Sequence, residues 1–468
     1  MSQTYPYLQQ IIIAVSAVHY YNAVSNATTQ TGVYSHIAQV ALIDALCARQ
    51  KAIRGLIKII QLKQSNNGRE DSQADQDALL ATVLFFVNFT LIDSGKNDWQ
   101  NHLTAAGRLL SIYGLSTLSL AHVAGNSQSN SSSPKSKPHT SVSNSPKEIS
   151  GVKHQLVDQP LTVCDYVASD TVAYLIWNCA LGLLVSTSSS SQPKSQSAAH
   201  SHDYAAQLLT WDVAKVLRIL SRTQANSYHS CPADLMSIVL RTAQITQYIK
   251  TSGRRSPDAE QMSKYLKLLK EAEIFDVEQW AAGVSTQIVG ILGVTDEHEL
   301  RVRRHIAATY RAAVCLYILL IVPGIPAELR RRAQHSDVDI DALPTLPSSE
   351  DLVSTILQQL SCIPKTSTLF KFTAWPVFLT GVDAVSDVHR KRVSERLRAM
   401  RDLCPWGMLT SAIETLKEIW KLRDEATKHG ICDARDVPDA KLDIEWNEQE
   451  RDDWLSRLQG LKIDCLIV

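Results

Sequence analysis

Residues 78–92 read ALLATVLFFVNFTLI, a run with apolar side chains on nearly every side. A helix that is apolar all round has no face to give to water, so other helices must enclose it. The chain supplies them. In VYSHIAQVALIDALCARQKAIRGLIKIIQL, Ile37, Ala41, Ala45, Ala48, Ala52, Leu56 and Ile59 step by three or four, the spacing of one helical face. Trp99, His102, Leu103, Ala106, Leu110 and Tyr113 line a second amphipathic helix, which Asn97 or Asp98 can cap and Gly114 ends. Val393, Leu397, Met400 and Cys404 line a third, capped by Asp387. Leu409, Ile413, Leu416 and Trp420 line a fourth, and Pro405-Trp406-Gly407 turns the chain between them. No βαβ rhythm and no fixed repeat occurs. The pattern predicts an all-α fold, an irregular multi-helix array forming one domain over residues 1–468.

Two stretches break the pattern. Residues 125–160 and 186–202 are rich in serine, asparagine, proline and lysine. Such segments bury too little apolar surface to offset ordering entropy, so both are predicted to be disordered inserts within the array. Ser133 and Ser145 precede proline there and are candidate phosphorylation positions. The final LKIDCLIV puts Leu461, Ile463, Cys465 and Ile467 on one parity, which predicts a short extended tail packed on the helices.

Lysine plus arginine and aspartate plus glutamate each number 47. This neutrality argues against binding DNA or a membrane through the whole surface, and leaves only a local patch for phosphate contacts. Nine cysteines without a C-x-x-C pattern read as reduced, buried thiols of an intracellular protein. The most apolar stretch, Val314 to Val322, is far short of the about 20 residues a membrane span needs. The N-terminus has no basic region ahead of its short apolar run, so no signal peptide and no membrane association are expected.

Motifs for catalysis are missing: no phosphate-binding glycine loop, no H-E-x-x-H and no G-x-S-x-G. His200 and His202 have no third metal ligand nearby and read as solvated loop residues. Glu448, Glu450, Asp452 and Asp453 form an acidic cluster of the kind that holds magnesium in helical isoprenoid-type, terpene-cyclase-like enzymes. Arg451 and Arg457 lie beside them, so a charge-mixed helix start is the first reading and the enzyme the alternative. Basic clusters at 300–304, 330–332 and 389–398 read first as solvated helix faces, and second as phosphate contacts or nuclear-import signals. No catalytic residue, cofactor site or metal site is assigned, and a non-enzymatic protein is expected.

FTAWPVFLTGVDAV, residues 372–385, places Trp375 directly before Pro376. Proline in a first helical turn costs nothing, because its missing N–H had no intrahelical partner. A helix starting near Leu369 would instead be kinked. Core packing is the first reading of this stretch. An effector pocket lined by Trp375, Phe378, Gly381 and Trp406 is the second, since kinks and small residues open clefts between helices.

The order of blocks carries a resemblance. LQQIIIAVSAVHY is followed by the buried run leading into Trp99-x-x-His102-Leu103-x-x-Ala106-x-x-Leu109-Leu110. Then come DTVAYLIWNCALGLL, Trp375-Pro376-x-Phe378-x-x-Gly381, WGMLTSAIETLKEIW, and Trp454-Leu455 with its aliphatic tail. This resembles the fungal-specific transcription factor regulatory domain of binuclear zinc-cluster (Zn2Cys6) regulators. The resemblance implies an all-helical, nuclear, non-catalytic domain controlling RNA polymerase II transcription. It also implies response to a small-molecule effector, to other transcription regulators or to a homo-dimer partner. Family members usually carry six closely spaced cysteines that hold two zinc ions and place a helix on DNA. Here Cys47 is first and Cys164 next, a spacing unsuited to that cluster. No zinc cofactor and no direct nucleic-acid contact are therefore expected from these residues, and DNA would be reached through a partner.

Overall fold

The computed structural model describes residues 3–31, 36–65, 73–96, 99–112, 163–185, 211–224, 231–254, 256–292, 296–333, 344–345, 348–428 and 465–468. Among the described residues are fifteen α-helices, one 3-10 turn and no named strand, the all-α array expected. The inserts with Ser133, Ser145, His200 and His202, the acidic cluster at 448–453, and Asn97, Asp98, Tyr113 and Gly114 lie outside the described residues.

Helices α1 (Pro6–Thr31) and α2 (His36–Ser65) pack as a pair against α3 (Gln73–Asp93). Ala41, Ala45, Ala48 and Ala52 form the buried ridge of α2, facing Ile11, Ala14 and Val18 of α1. Small side chains let the two axes approach closely. A Cβ added at Gly55 would stand 3.1 Å from Tyr7 Cβ. The stripe's first member behaves differently: Ile37 is 60% exposed, because the helices part there around an open hollow.

Helix α3 explains its own composition. Ala78, Leu79, Phe86, Phe89 and Ile92 close the small core made with α1 and α2, while Leu80, Val83, Val87 and Leu91 enter the main core. A helix between two cores needs apolar residues on both sides. Helices α4 (Trp99–Ile112) and α5 (Val163–Val185) cover its second side. Trp99, Leu103 and Ala106 are fully buried, and the His102 ring stacks on Phe86 with centroids 5.2 Å apart.

The main core continues through α6 (Val213–Thr223), α7 (Ala233–Thr251), α8 (Ala259–Glu273), α10 (Glu297–Ile321), α11 (Ile325–Ala333) and α12 (Ser349–Ser361), while α9 (Val277–Leu292) packs Trp280, Ala281 and Val284 with Leu300 and Ala307 in a small separate cluster. Helix α10 is its central post, touching α7, α8, α9 and α12. Local chemistry starts these helices. Asp212, Asp258, Asp296 and Ser348 each accept from an early N–H, and Asp258 with Gln261 and Ser348 with Asp351 close capping boxes. Helices α3 and α10 have the length and apolarity of membrane spans, yet both spend that apolar surface inside the array.

A 3-10 turn (Phe370–Thr373) leads into α13 (Ala374–Asp383), then α14 (Asp387–Leu403) and α15 (Gly407–Lys428). The cap of α14 is Ser386, one residue before the expected Asp387. Ser386 is extended and its hydroxyl accepts from His389 N at 3.3 Å, leaving Asp387 as the first helical residue beside the positive end of the dipole. The tail pairs Cys465 with Lys96, and Leu466 N donates to Gly95 O at 2.7 Å. Cys465, Leu466 and Ile467 are all buried, so this tail is enclosed on both sides and its alternation selects no face.

Candidate regulatory site

Every residue of α13 is buried, which makes it the most enclosed element of the Trp-Pro region. Pro376 is its third residue, in the first turn, where the backbone N–H groups have no intrahelical acceptor. A continuous helix would offer the Phe372 carbonyl to residue 376. The buried Tyr310 hydroxyl donates to that carbonyl instead, at 2.7 Å. The same tyrosine ring stacks on Trp375 (centroids 5.9 Å apart, planes 13° apart), and Tyr317 meets Trp375 edge-on at 6.1 Å. Trp177 of α5 meets Tyr310 edge-on at 5.7 Å. Burial pushes both tyrosine hydroxyls up, Tyr310 with added pressure from Cys231, so both are neutral at physiological pH.

The other end of α13 is held by α14 and α15. Trp420 Nε1 donates to Gly381 O at 2.8 Å. Arg423 donates to Val382 O at 2.8 Å and Ala384 O at 3.0 Å, and Arg390 Nε to Ala384 O at 3.3 Å. These last-turn carbonyls lack helical N–H donors, and cationic donors suit the negative end of the helix dipole. Arg390 also forks onto Asp424 at 2.8 and 2.9 Å. Nearby, Arg396 lies 3.9 Å above the Phe370 ring and donates to Leu360 O at 2.7 Å and Ile363 O at 3.2 Å. Burial lowers its pKa to about 10, which leaves it charged at neutral pH. Solvation was expected for the basic clusters. Arg303 and Arg396 are instead turned inward, Arg303 against Glu299 at 2.7 Å, because each finds acceptors there.

Trp375, Phe378 and Gly381 are brought together on α13 within the main core. A Cβ at Gly381 would stand 2.6 Å from Leu416 Cδ1 and 2.9 Å from Val393 Cγ1, so this glycine is the point where α13 meets α14 and α15. Trp406 is placed apart, half-buried before α15, where it packs against both the main core and the small core of α1–α3. Two surface hollows lie elsewhere, one between α14 and α15 and one between α1 and α2, and none of the four residues lines either. The residues that hold α13, Tyr310, Arg390, Trp420 and Arg423, carry no sequence signal, since an arginine or tyrosine near an apolar stripe reads the same whether it faces water or a carbonyl. Of the described cysteines, Cys179, Cys231, Cys315 and Cys465 are buried as expected, whereas Cys47 and Cys362 are exposed.

Against known proteins, no solved structure matches. Acriflavine sensitivity control protein acr-2 of Neurospora crassa is 28% identical over 470 residues, covering 99% of this chain and 61% of that protein. The chain thus spans about six-tenths of the length of this curated relative. The profile of the fungal specific transcription factor domain matches residues 1–464. A match of that extent, on the all-helical array described above, means that the chain belongs to the fungal specific transcription factor domain family.

Proposed function

We propose that this domain controls RNA polymerase II transcription in the nucleus by responding to an effector or a protein partner, without catalysing a reaction. The family match over nearly the whole chain carries the reading. The packing of α13 supports the responsive part. One buried helix is gripped at one end by α10 through Tyr310 and at the other by α14 and α15 through Arg390, Trp420 and Arg423. A ligand or partner that prefers one arrangement of α14 and α15 would shift the balance of such an element. In this proposal Trp375, Phe378 and Gly381 transmit the response and Trp406 couples it to α1–α3. On this reading DNA is reached through a partner rather than through zinc held by the chain's own residues.

A plain protein–protein scaffold is a second reading. Ile13, Tyr20, Ile37 and Val40 expose apolar surface along the α1–α2 hollow, a feature that suits another regulator or a second copy of the chain. The test is a reporter assay with residues 1–468 fused to a heterologous DNA-binding domain in a fungal host. Output that differs from the DNA-binding domain alone, and that changes when Gly381→Ala or Arg423→Gln is introduced into stably expressed protein, is expected. Output indistinguishable from the DNA-binding domain alone under all growth conditions would sink the reading.

A further inference from the structure

We infer that the hollow between α14 and α15 is a binding site for a small polyanion, a molecule carrying a phosphate or several carboxylates. It has a volume of about 510 Å³, within the range of small-molecule sites. Lys391 and Arg398 enter it from α14, and Lys417 and Lys421 from α15. Helical spacing of seven and four residues sets each pair on one face. None of these four cations has an ion-pair partner among the described residues. Like charges lining one hollow repel one another, and a bound anion offsets that cost.

Ser394, between Lys391 and Arg398 in the helix spacing, lines the same hollow. It is only 8% exposed and its hydroxyl has no hydrogen-bond partner among the described residues. The hydroxyl faces the hollow, where an anion oxygen would accept from it. Trp420 forms one wall, under the Arg390 guanidinium at 5.7 Å. Arg390 is already committed to Asp424, and Asp387 and Glu425 are the remaining acids of the lining, so cations outnumber acids in the hollow. The concavity favours a small ligand over duplex DNA, which needs a basic strip on an outward surface.

The site has a direct line to α13, because Trp420 and Arg390 bond the Gly381 and Ala384 carbonyls. Binding rests only on the α14–α15 geometry. Its consequence for α13 rests on the regulatory reading above, so binding without any reporter response would sink that reading and leave the site intact.

The probes are inorganic pyrophosphate and citrate, titrated by calorimetry into the full chain at low salt. Saturable one-to-one binding of either is expected, weakening as salt rises. Lys417→Gln/Lys421→Gln from α15 and Lys391→Gln/Arg398→Gln from α14 should each weaken it by about tenfold or more, and Ser394→Ala by several-fold, with unchanged melting temperature. Preference for pyrophosphate assigns a phosphate ligand, and preference for citrate a polycarboxylate. The control Lys51→Gln/Lys58→Gln removes the same charge from α2 and should change nothing. The proposal is overturned if neither probe saturates, if the control weakens binding equally, or if a duplex oligonucleotide binds more tightly and displaces the probe.

Discussion

Tyr310 completes a helix that Pro376 leaves open. Its hydroxyl donates at 2.7 Å to the carbonyl of Phe372, the acceptor to which a continuous helix would have brought the N–H of residue 376. The ring carrying that hydroxyl is stacked on Trp375, so one side chain both satisfies the backbone and packs the tryptophan before the proline.

Tyr310→Phe keeps the ring and removes the donor, and should cost about 0.5–1.5 kcal/mol, the net contribution of a typical hydrogen bond. In a Pro376→Ala background the new N–H can serve Phe372, so the same change should cost less. Urea unfolding of the four-member cycle measures this, and equal costs in both backgrounds would remove the proposed exchange of donors.

Trp375→Ala empties a site that is 2% exposed and bordered by Tyr310 and Tyr317. A loss of about 3–5 kcal/mol is expected on thermal or urea unfolding. A melting temperature within a few degrees of the unaltered chain would instead show that the core closes over the space.

Gly381 and Gly407 should differ in tolerance. A Cβ at Gly381 meets the terminal methyls of Leu416 and Val393, and overpacking of that kind costs about 1–3 kcal/mol. At Gly407 the added atom would lie 1.8 Å from the Asp93 carbonyl oxygen, a backbone atom at the end of α3. Gly407→Ala should therefore give little soluble folded protein while Gly381→Ala folds with a lowered melting temperature.

Thiol reactivity should follow burial. Burial pushes Cys315 up to about 12, with Glu273 adding to it, and Cys404 up to about 11, and it raises Cys179 and Cys231 as well. The thiolate is the reactive form. Iodoacetamide labelling of the native chain near pH 8, read by peptide mass spectrometry, should modify exposed Cys47 and Cys362 well before Cys179, Cys231, Cys315 and Cys465.

Glu328 supplies an acid-side signature. The Arg331 fork, with Arg332 beside it, holds its carboxyl down at about 2, against 4.5 for the free group. Because the folded-state pKa is the lower one, the stabilisation is full above about 4.5 and is lost as pH falls toward 2. Glu328→Gln should lower stability at neutral pH and flatten the stability profile between those values. An unchanged slope would mean that the pair is screened by solvent.

Much of the regulatory region was readable from residues alone. Pro376 announced a helix start, and the structure begins α13 at Ala374 after a short 3-10 turn. Gly381 announced a close approach, and Leu416 and Val393 occupy it. Arg396 was not readable. Its acceptors at Leu360 and Ile363 lie 36 and 33 positions away, and only the folded chain brings them under the guanidinium. The exposure of Ile37 and the inward turn of Arg303 belong to the same class.

By itself the sequence determined the helices, through apolar periodicity, capping residues and the family's ordered blocks, because those depend on neighbours within a turn or two. The tertiary structure alone decided which carbonyls the isolated arginines reach, which tyrosine replaces the donor missing at Pro376, and that four unpaired cations and Ser394 share one hollow. Those outcomes depend on how separate helices meet, and the periodicity of each helix records its buried face without recording the partner that covers it.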